Sequence, residues 1–386
     1  MNTSYYAISA KKIYLENKII ENGKIVIKDG LIEDIVEQEN NVNVECLWDR
    51  QEMGIMPGFI DTHIHGANSY DVMQADFVSV NEVSKFLAKN GTTSFVPAVM
   101  TASLDKMNMA LKNIHVCLGK VEGAEILGCY LEGPYFTSKH RGAQPEELLR
   151  AIQIEEIKGF IDSAGGSILT VALAPEKENA IDLIQYLVQK GIHVSLGHTN
   201  ATFEEMKKAV FSGADIAVHT FNGMKGLHHR EPGAVGAVLT NDKIYAELIA
   251  DFTHVHPAVM EILLRCKPKD KIILVSDAME AAGLEDGEYK LGQVKVTVNH
   301  SIARTGDGSL AGSTTNLLKE VAGLITKMGI NPTDAINMAS RNPAKMLGLE
   351  NEIGSIRIGN KANLIIVDNQ FQVVRTLIKG EIVYQR

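Results

Sequence analysis

The 386-residue sequence predicts an α/β fold: a (β/α)8 TIM-like barrel with a small β-sandwich domain built from both chain termini. Three observations lead there. Through the middle of the chain, short apolar runs alternate with longer amphipathic stretches, as strands alternate with crossover helices. About eight such runs occur, the strand count of a barrel that typically needs ~250 residues. Both ends have a different texture, with short β-branched segments separated by turn residues.

The amino-terminal segments are Ala7-Ile8, Lys12-Ile13-Tyr14, Lys24–Lys28 and Leu31-Ile32, with turns expected at Glu21-Asn22-Gly23 and Asp29-Gly30. The carboxy-terminal ones are Ala362–Asp368, Val373–Ile378 and Glu381–Tyr384, separated by Asp368-Asn369 and Lys379-Gly380. Neither end alone offers enough strands for an independent core. Joined, they make one small domain, 1–55 with 350–386, and leave 56–349 for the barrel. The barrel runs are 56–62, 92–99, 125–131, 168–174, 192–197, 215–219, 245–250 and 271–276, with helix-like stretches at 80–90, 146–163, 177–190 and 202–212. A doubly wound open sheet would bring a Gly-x-Gly-x-x-Gly after its first strand, and none is present.

Composition narrows the function. A formal net charge of −9 and the absence of a basic run argue against nucleic-acid binding. No apolar stretch reaches the ~18–20 residues of a membrane span. The first residues lack the basic-then-apolar plan of a signal peptide. Cys46, Cys117, Cys129 and Cys266 show no paired spacing, so reduced thiols in a cytoplasmic protein are expected.

Chemistry concentrates where the runs end. His63 and His65 close the first run, and a spacing of two puts both rings on one face of a strand. Glu132 ends the third run, His198 the fifth, His219 the sixth and Asp277 the eighth. Barrels of this type build their sites at that edge. Each residue alone could be a satisfied core or loop group; their coincidence at one edge points to a metal centre. Imidazole and carboxylate donors without cysteine suit one or two catalytic divalent ions, zinc or iron first, manganese or cobalt next. Two ions with Glu132 between them match the donor count.

The run Pro57-Gly58-Phe59-Ile60-Asp61-Thr62-His63-Ile64-His65-Gly66 resembles the amidohydrolase superfamily. Leu131-Glu132-Gly133-Pro134, Gly197-His198-Thr199-Asn200-Ala201, His219-Thr220-Phe221-Asn222-Gly223-Met224 and Ser276-Asp277-Ala278 narrow the resemblance to its N-acetylglucosamine-6-phosphate deacetylase family, over nearly the whole chain. Cyclic-amide hydrolases of the superfamily bridge their metals with a carbamylated lysine, whereas this family uses a glutamate.

The resemblance implies hydrolytic deacetylation of N-acetylglucosamine 6-phosphate by a metal-activated water, in the cytoplasm. It makes His198, His219 and Glu132 the principal metal ligands, His63 and His65 those of a second ion, and Asp277 both a ligand and the general acid/base. Substrate contacts fall on Ala143, Asn222, Gly223, Arg230, His254, Leu310, Ala311 and Gly312. Gln144 stands where some relatives have histidine, which leaves the role of that position open. Taken alone, Arg230 reads equally as a solvated loop charge, while a loop histidine is the lesser alternative for His254. The family resemblance makes Arg230 a phosphate clamp reaching the site of a neighbouring subunit, and so implies a homodimer. The galactosamine epimer is an alternative substrate, another amidohydrolase reaction a further one, and a non-catalytic scaffold a third reading that would predict broken ligands.

Overall fold

The computed structural model describes residues 5–37 and 44–386. Eight parallel strands follow one another in space as they do in sequence. They are Phe59–Ile64, Thr92–Met100, Cys129–Glu132, Ile168–Leu173, His193–Leu196, Ile216–Ala217, Tyr245–Leu248 and Ile272–Leu274, with Glu125–Ile126 as an extra piece beside the second. All lie within or close to the expected runs. The first strand starts late because Met56-Pro57 belongs to the preceding strand, Cys46–Pro57. First and eighth strands meet at their carboxyl ends rather than in a full ladder. There Asp277 N–H donates to His63 O (3.0 Å) and His65 N–H to Ala278 O (2.9 Å). The Asp61 carboxylate, wholly buried, accepts from Ser276 N–H at 3.2 Å across the same seam.

The crossover helices obey local rules. In Phe77–Lys89, Asp76 caps the start by accepting Ser79 N–H, and Val80, Val83 and Leu87 form the buried stripe. Phe203–Phe211 opens with a Thr202–Glu205 capping box. The expected helix 146–163 is half right: Ile154–Ser163 is helical, but Glu146–Leu148 is a single 3-10 turn and Leu149 is extended. Arg150 N–H donates to Pro134 O at 3.0 Å, so this stretch is tied to the barrel mouth instead of to its own preceding turn.

The termini do meet. Tyr5–Tyr14, Ile19–Lys28, Leu31–Val36 and Cys46–Pro57 join Leu364–Val367, Val373–Ile378 and Glu381–Gln385 in one seven-stranded mixed sheet. The sheet curls until Leu31 bridges Lys361, enclosing a core that includes Ile8, Ile13, Ile25, Ile27, Leu364 and Leu377. The turn expected at Glu21-Asn22-Gly23 lies inside a strand, where Gly23 pairs with Ala10 and Asn22 takes a φ of 55°. The chain reverses earlier, at Leu15–Lys18, where Leu15 N–H meets Lys18 O. Asp29-Gly30, Asp368-Asn369 and Lys379-Gly380 do fall between strands, as expected.

After the eighth strand comes an insertion that the apolar runs did not reveal. Gly287–Leu291, Val294–Asn299 and Ile302–Thr305 form a three-stranded antiparallel sheet. It packs Leu291, Val296 and Ala303 against Met100 and Met279 beside the barrel mouth.

Candidate metal centre

His63 and His65 leave the first strand on one face and are buried. Glu132 ends the third strand. The other three residues are delivered by backbone turns: His198, His219 and Asp277 take positive φ values of 45°, 26° and 47° just past their strands. Residues other than glycine seldom adopt that region, and where they do the site around them usually holds them there.

The six side chains form two groups, His63–His65–Asp277 and Glu132–His198–His219, each with its donor atoms within 4.8 Å of one another. Glu132 belongs to both in practice. Its Oε1 lies 3.2 Å from His198 Nε2, 3.4 Å from His219 Nε2 and 3.6 Å from His63 Nε2, and its Oε2 lies 3.3 Å from His65 Nε2. Asp277 Oδ1 lies 3.2 Å from His65 Nε2.

Each imidazole is aimed by its other nitrogen. Nδ1 of His65 contacts Ala98 O (3.2 Å), that of His198 contacts His140 O (3.0 Å) and that of His219 contacts Asn222 O (3.1 Å). His63 Nδ1 instead meets the Glu247 carboxylate at 3.3 Å. With the proton on Nδ1, every Nε2 lone pair faces the centre, the arrangement that outer partners impose on metal-ligating histidines. The buried His63 Nε2 has no hydrogen-bond partner, and so fits a metal ligand.

The electrostatics fit a cation too. Burial would raise Glu132, but His63, His198, His219 and His65 hold it well below the ordinary carboxylate range. Burial would likewise raise Asp277, and His65 and His63 hold it down. In return, against the opposing pull of burial, the two carboxylates lift His65 well above its usual value and His219 to about 9. Positive charge is favoured among these groups, as a divalent ion would supply.

A cavity of about 300 Å³ opens above the centre, with His65, Glu132, His198, His219 and Asp277 in its wall. Of the expected substrate contacts, Ala143, Asn222, Gly223, His254, Leu310 and Gly312 line it. His254 is held by Asp251, whose Oδ2 lies 2.7 Å from Nδ1. Ala311 is buried behind the wall and bonds Ala303 through its backbone. Arg230 is exposed outside the cavity, its guanidinium 2.7 Å from His229 Nε2. Two glycines permit close approach: a Cβ on Gly223 would stand 3.0 Å from His198 Nδ1, and one on Gly312 2.9 Å from Asp277 O, both at positive φ.

Two contributors, Tyr130 and Glu247, escaped sequence reasoning, and Gln144, whose role the sequence left open, gains one. Gln144 donates Nε2–H to Glu132 Oε2 at 2.8 Å and accepts Thr101 N–H, so this side chain clamps the shared carboxylate. The Tyr130 ring stacks on His63 with centroids 4.5 Å apart. Glu247 is wholly buried in the seventh strand, and its one signal was an acid inside an otherwise apolar run.

A parallel barrel whose mouth gathers four imidazoles and two carboxylates below an open cavity defines the barrel-type metal-dependent hydrolases. The chain belongs to the amidohydrolase family, whose model matches residues 55–383. It is 43% identical over 331 residues to an N-acetylglucosamine-6-phosphate deacetylase of Vibrio furnissii, covering 86% of this chain and 83% of that protein. It is 39% identical over 378 residues to an N-acetylgalactosamine-6-phosphate deacetylase of Escherichia coli O157:H7, covering 98% and 99%. Its fold matches the structure of a mutant N-acetyl-D-glucosamine-6-phosphate deacetylase from Mycobacterium smegmatis in complex with N-acetyl-D-glucosamine-6-phosphate. That match has a TM-score of 0.93 at 26% identity, over 99% of this chain and 100% of the other.

Proposed function

We propose that this protein hydrolyses the acetamide of N-acetylglucosamine 6-phosphate, giving glucosamine 6-phosphate and acetate. The observation that carries the reading is the convergence of four imidazole Nε2 atoms on Glu132 and Asp277 at the wall of a cavity of sugar size. Glu132, His198 and His219 would hold one divalent ion, and His63, His65 and Asp277 a second, with zinc or iron best suited to these donors. A bound ion polarises the amide carbonyl and acidifies water. The chain's own part is proton transfer and positioning. Asp277, held ionised by His65 and His63, takes a proton from the attacking water. It returns that proton to the sugar nitrogen as the C–N bond breaks. Gln144 keeps Glu132 in place, while His254, Asn222 and the Leu310–Gly312 backbone orient the sugar.

The described residues lining the cavity include no lysine or arginine, so a phosphate there needs a cation from elsewhere. Arg230, exposed on its loop, suits that role in the cavity of a second copy, which makes the working enzyme a cytoplasmic homodimer. The catalytic unit is 56–349, with 1–55 and 350–386 as the supporting domain. The Escherichia coli relative supports a second reading, in which the galactosamine epimer is the substrate. Initial rates of acetate release from the two epimeric sugar phosphates decide between them. Faster release from the glucosamine compound is expected; faster release from the galactosamine compound supports the second reading, and release from neither overturns both.

A further inference from the structure

We infer that Glu247 is a positioning residue that sets how tightly the ion held by His63, His65 and Asp277 is bound. The inference rests on the two-ion reading above and deepens it. Among the four imidazoles, three lean on neutral backbone carbonyls, of Ala98, His140 and Asn222. His63 alone leans on a full carboxylate, Glu247 Oε2 at 3.3 Å, with both side chains completely buried. An outer carboxylate fixes the tautomer and ring orientation of a histidine and raises the basicity of its other nitrogen. In a dry site the negative charge also acts with little screening on a cation across the ring.

Glu247 is placed to do this without becoming a ligand. It sits in the middle of the seventh strand, which supplies none of the six donors, and its carboxylate approaches His63 from the side away from the centre. The same Oε2 accepts the backbone N–H of His219 at 3.3 Å. That bond holds the left-handed residue that delivers His219, so the carboxylate also braces the other group, but through backbone and not through the ring. Tyr130 stacks on one face of that imidazole. The charge of Glu247 therefore meets the ring of His63 directly, and reaches His219 only through space and through the backbone.

The test is zinc titration of chelator-treated protein, following stoichiometry and the two affinities, with circular dichroism to verify folding. Wild type is expected to take two ions. Glu247→Gln, which keeps the shape and can still accept hydrogen bonds, is expected to leave one affinity unchanged and weaken the other by roughly 10–100-fold. The retained ion should be the one lost on His198→Ala. If Glu247→Gln does not fold, Glu247→Asp draws the carboxylate back from His63 and should weaken the same ion alone. Two unchanged affinities, or an equal loss of both, overturn the role of Glu247. A wild-type stoichiometry of one overturns the two-ion reading and this inference with it.

Discussion

The two halves of the candidate metal centre are built by different kinds of backbone. His63 lies in the first barrel strand and His65 one residue past its end, and the two share a face through the alternation of side chains along extended backbone. His198 and His219 project from left-handed residues beyond short strands, and are aimed by carbonyls in the loops at His140 and Asn222. The first half is thus set by the barrel wall, and the second by how the loops settle on the mouth. Asp277 mixes the two, since it is a left-handed residue stitched by its backbone to the first strand at the closing seam. A site of this kind can lose strand-borne ligands by simple substitution while its loop-borne half keeps its shape. Glu132, which touches both halves, has no such independence.

That contrast can be broken in order of expected effect. Glu132→Ala removes the shared carboxylate, and should strip metal from both halves and lower turnover by three orders of magnitude or more, roughly the loss seen when a catalytic unit is dismantled. Metal analysis and acetate release check it; retention of one full equivalent would show the halves to be independent of Glu132. Asp277→Asn should lower turnover by about 10²–10⁴-fold, because general acid–base transfer is worth that much, while the ion held by Glu132, His198 and His219 is retained. Substantial residual turnover would remove Asp277 from the proton path. Arg230→Ala should leave metal and kcat nearly unchanged, but raise KM for the phosphorylated sugar far more than for the unphosphorylated one. Equal effects on both would end the phosphate role.

The smallest effect is on stability and lies outside both halves. Glu320, on the helix Leu317–Met328, is fully buried, and burial, with Asp251 and Asp61 nearby, lifts its carboxyl well above its usual 4.5. A folded-state pKa above the unfolded one gives stabilisation that is complete below about 4.5 and is lost as pH rises through the folded value. Glu320→Gln should therefore be more stable than the parent at pH 8, by about 1–2 kcal/mol, and no more stable at pH 4. Thermal denaturation at the two pH values measures it, and a gain independent of pH would contradict the assignment.

Much of this was legible because burial makes polar residues conspicuous. A histidine or carboxylate closing an apolar run has a desolvation cost that a protein rarely accepts without use, and Glu132, His198, His219 and Asp277 all stood out on that ground. The barrel strands were legible for the same reason, as apolar runs buried on both faces. Glu247 was not, because it lies inside its run and its purpose shows only when His63 from another strand comes beside it. The three-stranded insertion was missed because its strands are half exposed and short. The Asn22-Gly23 pair looked like a turn, yet ladder bonds to the neighbouring strand kept it extended in direction despite the left-handed Asn22. Residue 230 shows a different limit. Its loop position was readable, but whether a second chain lies beyond it is a property of the assembly.

On this reading the buried donors at the barrel mouth hold the ions that make this protein a deacetylase. That role is tested most directly by acetate release from N-acetylglucosamine 6-phosphate before chelation, after chelation, and after zinc or iron is restored to the same sample. Release should disappear with the metal and return with it, in proportion to the ion bound. Undiminished release from fully chelated, metal-free protein would contradict it.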